Sequence, residues 1–212
     1  MNKIAPKLVV RRLPIYLHIL DNLIRNDVQI ISSRELSDET GFTAEQIRKD
    51  LAFFGAFGTR GTGYNTSFLR EKILKIIGLD DQTNIVVVGA GHLGIALIRY
   101  NVTNNSYVNV VAAFDIDPDV IGLKILDVEV MPMARMKEIA EEYKVKVAIL
   151  TVPSEQAQIA VEQIIQSGIN VIFNFAPTKL HVPEGVYVRN ANLSIELQSL
   201  IYYATSEKEK NF

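Results

Sequence analysis

Leu13, Tyr16, Leu17, Leu20, Leu23 and Ile24 recur at i, i+3, i+4, i+7, i+10 and i+11, the spacing of one apolar face of an α-helix. This predicts a first helix over about 13–26 with Pro14 in its first turn, where a missing N–H is tolerated. Ser32 followed by Glu35 is a capping box that opens a second helix at about Ser33, and Gly41 ends it. Thr43 and Gln46 repeat the device for a third helix with Ile47, Leu51 and Phe54 turned inward. Gly55 to Tyr64 then holds four glycines in ten residues, with Arg60 at the apex. Glycine supplies the positive φ that a tight hairpin requires. The polar stretch from Gly78 to Thr83 separates this half from a β-rich one.

Beyond the boundary the pattern changes period. Residues 84–88 form a buried strand and 108–114 a second one that ends in Asp115. Further strands are predicted over about 145–150 and 170–175, with helices over about 133–143 and 154–166. Strand and helix alternate as in a parallel doubly wound sheet, so the fold class is α/β. A last helix over about 192–204 carries Leu193, Leu197, Leu200 and Ile201 on one face and Ile195, Tyr202 and Tyr203 elsewhere. A helix apolar nearly all round needs burial on more than one side. A second subunit and an intramolecular clamp would each provide it.

Two short helices meeting at a Gly-containing turn have the shape of a helix-turn-helix, whose second helix enters the major groove. On that helix Gln46, Arg48, Lys49 and Asp50 surround Ile47 and Leu51. Arg reads guanine bidentately, Gln reads adenine, and Lys holds phosphate. Ser32 and Ser33 can donate to phosphate where the preceding helix opens. The Gly-rich hairpin has the form of a wing, and Arg60 at its tip suits a narrow minor groove. Arg11, Arg12, Thr43, Gly61 and Tyr64 complete the candidate DNA-contacting set. A three-helix interaction module with merely solvated basic residues is the competing reading.

In the second half Gly89-Ala90-Gly91-His92-Leu93-Gly94 lies between a strand and a helix. There its glycines permit a tight turn, the approach of a pyrophosphate to backbone, and close helix packing. Asp115 follows at the end of the next strand, where a carboxylate accepts from ribose hydroxyls and disfavours a 2′-phosphate, favouring NAD(H) over NADP(H). Thr151-Val152-Pro153 and Asn174-Phe175-Ala176-Pro177 follow the carboxyl ends of two strands, where open α/β sheets bind ligands. Ala90, His92, Leu93 and Ile116 join the glycines, Asp115, Thr151, Val152, Pro153, Asn174 and Phe175 as candidate nucleotide-binding residues. No His/Asp or Tyr/Lys pairing for hydride chemistry stands out, so a nucleotide bound without turnover reads as a signal. An NAD-dependent dehydrogenase and a CoA-binding ligase-type domain are the rival readings.

Composition narrows this picture. The 212 residues are 48% hydrophobic and 22% charged, those of an ordinary globular chain of one or two domains. Residues 1–80 hold 12 Lys+Arg and 9 Asp+Glu, a net +3, and residues 81–212 hold 10 and 15, a net −5. A basic first module joined to an acidic second one places any polyanion partner with the first. There is no cysteine and the three histidines are scattered, so no metal is expected. The apolar runs fall short of the roughly 20 residues of a membrane span, and Arg11, Arg12 and Asp21 interrupt any signal-peptide core. The expected location is the cytoplasm.

The strings SSRELSDETGFTAEQIRKDLAFFGAFGTRGTGY, GAGHLG, AFDIDP, ILTVP and NFAP resemble the Rex family of redox-sensing transcriptional repressors, in order and over nearly the whole chain. The resemblance implies a homodimer. Its subunits would have a winged-helix DNA-binding domain over 1–78, a Rossmann domain over 84–190 and a C-terminal helix over 191–206 exchanged between them. It also implies double-stranded operator DNA as partner and NADH and NAD+ as effector ligands, with NADH releasing the protein from operators of genes for NADH reoxidation, fermentation or respiration. By motif, Gln46, Arg48, Lys49 and Arg60 would contact DNA; Gly89, Gly91, Gly94 and Asp115 would hold NAD(H), with Tyr100 close by. Two positions depart from the family pattern. Asn192 stands where an Asp is common and His18 where some members have Arg, and a neutral Asn cannot form a salt bridge in a latch with Tyr100 and helix one.

Overall fold

The computed structural model of the protein describes residues 5–59 and 61–209, in two compact units divided between Asp81 and Gln82. The first unit opens with α1 (Lys7–Arg25). This helix begins a turn and a half before the predicted start, so Pro14 lies in its interior rather than its first turn. The proline is exposed, while Val9, Leu13, Tyr16, Leu17 and Leu20 are buried on the other side. Packing on both sides of the proline holds the helix through a position that would break an isolated one.

Helix α2 (Ser33–Thr40) has the complete capping box: Glu35 N–H donates to Ser32 Oγ at 3.1 Å, and Ser32 N–H donates to the Glu35 carboxylate at 2.7 Å. Gly41 ends it in the left-handed region at φ 72°. Helix α3 (Ala44–Phe54) is capped by Thr43, whose hydroxyl accepts from Gln46 N–H at 3.2 Å. Strands β1 (Ile30–Ile31), β2 (Gly58–Thr59) and β3 (Gly63–Asn65) make an antiparallel sheet in the order β1-β3-β2, and α4 (Thr66–Ile77) follows. The β2–β3 hairpin is the predicted wing. Strand β1 was not legible, because two residues carry no periodicity. Leu13, Tyr16, Leu20, Ile31, Leu36, Ile47, Leu51, Leu69 and Ile73 form the interior.

The second unit contains β4 (Thr83–Val88), α5 (His92–Asn104), β5 (Val108–Asp115), β6 (Lys124–Ile125), β7 (Val128–Pro132), a 3₁₀ turn (Met133–Arg135), α6 (Met136–Glu142), β8 (Val147–Leu150), α7 (Ser154–Gln166), β9 (Val171–Asn174), β10 (Tyr187–Asn190) and α8 (Leu193–Glu209). The sheet order is β10-β9-β8-β4-β5-β7-β6, with every pair parallel except β6–β7. Taking its six parallel strands in chain order, the arrangement is 3-2-1-4-5-6, the doubly wound dinucleotide topology with its switch point between β4 and β8. Strict alternation of strand and helix fails twice: β5 reaches β7 through a turn and the β6 hairpin, and β9 reaches β10 through residues 175–186 without a helix. Along β4, Val86 and Val88 pack with residues of α6 and α7, while Ile85 and Val87 pack with Ile98 of α5. Alternation along a strand thus fills both layers.

Among the described residues helix α8 does not clamp onto its own unit. Leu193, Ile195, Leu197, Leu200, Ile201, Tyr202 and Tyr203 are each more than half exposed. Asn192 starts it, its amide oxygen accepting from the N–H groups of Ser194 at 3.0 Å and Ile195 at 3.2 Å.

Candidate DNA-binding groove and nucleotide cleft

In the first unit a groove of about 560 Å³ runs between α3 and the wing. Ser32, Ser33, Arg48, Gly58, Gly61 and Tyr64 are among its lining residues. Arg48 donates to Ser33 Oγ at 2.8 Å, so two predicted DNA-contacting residues from successive helices are already joined. Burial pushes the Tyr64 phenol up, partly offset by the charge of Arg48, and both residues line the groove. Gln46 is half-buried, and Arg11 and Lys49 are exposed. Lys49 pairs with Glu45 at 2.7 Å, holding that carboxyl below its usual range, a surface pair worth little in itself. Thr43 and Ser32 serve as caps, and each hydroxyl keeps a hydrogen to donate. Arg60 lies outside the described residues.

Two residues of α3 and α1 turn out differently from expectation. Asp50 does not stand beside the buried positions but is itself buried, 3% exposed. It accepts two bonds from Arg12, at 2.5 and 2.7 Å, and one from the Tyr16 hydroxyl at 2.7 Å. Arg12, placed by sequence among the DNA contacts, is therefore committed to Asp50, which raises its pKa, and its guanidinium lies 5.8 Å from the centre of the Phe42 ring. Burial is the largest cause pushing the Tyr16 phenol up, with Asp50 adding to it. The triad ties α1 to the third helix. Asp50 stands at i+3 from Ile47, on the same helix face, but its charge argued for the surface until Arg12 and Tyr16 were seen to partner it.

In the second unit a cleft of about 180 Å³ opens at the carboxyl ends of β4, β5 and β8. Gly89, Gly91, Asp115, Ile116, Thr151, Val152 and Pro153, all candidates from the sequence, line it together. A methyl group at Gly94 would collide with the Gly89 carbonyl, and one at Gly89 would sit 2.9 Å from the Thr151 carbonyl oxygen. Gly91 differs: its φ of −73° suits any residue, and a Cβ there would meet nothing within 4 Å. What its glycine preserves is open space in front of α5, a helix whose N-terminus has no side-chain cap. That is the cradle a pyrophosphate requires, so the residues fit a dinucleotide.

Hydrogen bonds across the loop are specific. Ala90 N–H donates to Asp115 Oδ2 at 2.6 Å, and Ile116 and Asp117 N–H donate to Asp115 Oδ1 at 2.7 and 3.0 Å. The Thr151 hydroxyl donates to the Gly89 carbonyl at 2.8 Å and lies 3.1 Å from that of Val88. Ala90 itself is buried in the core.

Other expected members lie apart. Asn174 is fully buried. Its amide donates to the Ala176 carbonyl at 3.1 Å and to Asn190 Oδ1 at 2.9 Å, and its oxygen accepts from Ala176 N–H at 2.9 Å. Those bonds tie the turn after β9 to β10 and leave the side chain occupied. Phe175 packs edge to face on Phe173, ring centres 4.6 Å apart, among the apolar residues beneath the sheet. His92, Leu93 and Tyr100 are exposed on α5, outside the lining of the cleft. Conversely, Met133, Gln156, Ile159, Ala160 and Gln163 line the cleft unforeseen. The last four repeat at i, i+3, i+4 and i+7 on the helix just past the switch point, a spacing that marks one helix face without saying that this face meets a ligand. Among the cleft's lining residues Asp115 is the single titratable group. Among the described residues no three His, Cys, Asp or Glu gather as metal ligands, and no helix is long and apolar enough to cross a membrane.

A winged helix-turn-helix unit and a dinucleotide-type Rossmann unit on one chain define a nucleotide-responsive DNA-binding regulator. A family model described as "Putative DNA-binding protein N-terminus" matches residues 4–52, and one described as "CoA binding domain" matches residues 80–178. The redox-sensing transcriptional repressor Rex of Natranaerobius thermophilus is 55% identical over 203 residues, covering 96% of this chain and 93% of that protein. The crystal structure of RSP in complex with beta-NAD+ and operator DNA matches with a TM-score of 0.89 at 41% identity, over 99% of this chain and 96% of that one. RSP in complex with beta-NADH matches with a TM-score of 0.87 at 40% identity, over 99% and 98%. The chain belongs to the Rex family of redox-sensing transcriptional repressors.

Proposed function

We propose that this protein is a cytoplasmic homodimeric repressor that binds operator DNA when NADH is scarce and leaves it when NADH binds, controlling genes of NADH reoxidation, fermentation or respiration. One observation carries the reading: this chain holds a DNA-type groove and a pyrophosphate cradle in separate units, and its relative RSP is found with NAD+ and operator DNA in one complex and with NADH in another. Arg48, with Ser33 and Tyr64, faces DNA from the groove. Gln46 reads base edges from α3, and Lys49, Arg11 and Arg60 meet the phosphates and the minor groove. In the cleft, Gly91 and the first turn of α5 take the pyrophosphate, Asp115 a ribose hydroxyl, and Val152, Pro153 and Ile159 the nicotinamide end. A desolvated apolar wall there disfavours the positive ring of NAD+ relative to neutral NADH.

Among the described residues that line the cleft Asp115 is the sole titratable group, which supports a reading without acid–base hydride chemistry. On this reading the nucleotide acts as an effector and not as a co-substrate. Bare apolar residues all round α8 support the dimer. In a two-fold dimer the spacing of two recognition helices must match two half-sites, so a rotation of subunits that NADH favours spoils one of them. A coupling of about 3 kcal/mol would weaken operator binding roughly 150-fold, and operator DNA would weaken NADH binding equally.

The test is fluorescence anisotropy of a labelled palindromic duplex from this gene's own upstream region, at fixed salt, without nucleotide, with NAD+ and with NADH. Tight binding abolished by NADH and retained with NAD+ is expected. Binding indifferent to both nucleotides, or NADH consumption with a carbonyl substrate, would overturn the reading.

A further inference from the structure

The Gly89 carbonyl and the Ala90 N–H belong to one peptide plane, and each end of it is held by a side chain from a different neighbouring strand. The Thr151 hydroxyl, just past β8, donates to the carbonyl at 2.8 Å. The Asp115 carboxylate, at the end of β5, accepts from the N–H at 2.6 Å. Strand β4, which delivers the loop, runs between those two strands. The same Thr151 oxygen lies 2.9 Å from where a Cβ at Gly94 would stand, so threonine, loop carbonyl and helix α5 meet at one point.

We propose that Thr151 is a positioning residue for the dinucleotide: with Asp115 it clamps the Gly89–Ala90 peptide and so sets the pyrophosphate cradle before any ligand arrives. The inference rests on the nucleotide reading of the cleft. The physical need is clear from the glycines. Gly89 has φ 99°, a region in which glycine is unrestrained by a side chain, and Gly91 has open space around it. A loop so free would lose conformational entropy on binding unless something else fixed it beforehand. The clamp supplies that restraint from outside the loop. It also limits Asp115: three backbone N–H groups occupy its carboxylate, out of about four acceptor positions. Asp115 thus has room for about one ribose hydroxyl while the clamp is closed.

The alternative role for Thr151 is direct contact with the nicotinamide half, and the two roles separate by ligand. ADP carries the adenosine and pyrophosphate and lacks the nicotinamide riboside. Calorimetric titration of the full-length protein with NADH and with ADP should show Thr151→Val, which keeps shape but lacks the hydroxyl, weakening both ligands by a similar factor of about ten. Thr151→Ser should recover most of that loss. Thr151→Val weakening NADH while sparing ADP, or sparing both, overturns the clamp. Amide exchange of the ligand-free wild type is the second measurement and needs no variant. Ala90 N–H should be strongly protected, and exchange there as fast as in an open loop overturns the proposal. Wild-type protein that binds neither NADH nor ADP while Ala90 is protected would instead remove the nucleotide reading on which the clamp's purpose rests.

Discussion

Arg48 lines the groove between α3 and the wing together with Tyr64 and is bonded to Ser33 at the start of α2. Replacing it with Ala should cost about 1–3 kcal/mol of operator affinity and leave NADH titrations unchanged; loss of NADH binding as well would contradict the division into two units. Glu35 offers a pH test. Its carboxyl is held below its ordinary value of 4.5, chiefly by accepting from the Ser32 N–H. A carboxyl whose folded pKa is depressed contributes stability above that ordinary value and loses it as pH falls through the folded one. Thermal unfolding of Glu35→Ala should therefore trail wild type at neutral pH, and the gap should close on acidification below 4.5; a gap independent of pH would exclude the capping carboxylate as its source. These local roles were legible, since a cap and its partner lie three residues apart. Asp50 and Asn174 were not, because the partners that bury them, Arg12, Tyr16 and Asn190, come from distant segments.

Among elements, those with a repeating pattern and end signals emerged from sequence close to where they stand, α2, α3 and α7 above all. Elements stabilised by what they pair with did not. Strand β1 exists through Ile30 and Ile31 pairing with Asn65 and Tyr64, and β10 through its parallel pairing with β9. The start of α1 was missed because Pro14 invites a boundary that burial of Val9 and Leu13 overrides. The wing shows why its glycines are needed. Gly63 has φ 95°, and a Cβ there would sit 2.5 Å from the Ile31 carbonyl oxygen. Gly63→Ala should destabilise the first unit by about 1–3 kcal/mol and weaken operator binding, with NADH affinity retained. Unchanged melting and operator affinity would mean that the β1–β3 contact yields easily.

For the molecule as a whole, the decisive feature is α8. Its apolar residues from Leu193 to Tyr203 are uncovered within its own unit, so deleting residues from Asn192 onward should convert a dimer to a monomer in sedimentation and weaken binding to a two-half-site operator roughly a hundredfold or more through lost bivalency. A truncated chain that still sediments as wild type would place the dimer contact elsewhere. The amino-acid sequence alone determined the winged helix-turn-helix followed by a parallel α/β unit, the glycine loop with its acid, and a terminal helix apolar nearly all round, whose exposure the structure then decided. Each is written in short-range spacing: caps at three residues, faces at 3.6, strands at two. Only tertiary structure decided that Asp50 is buried against Arg12, that Asn174 is spent on its own turn, and that Thr151 and Asp115 grip one peptide from opposite strands. Those roles depend on which segments become neighbours across the sheet or between helices, and spacing along the chain does not encode that proximity.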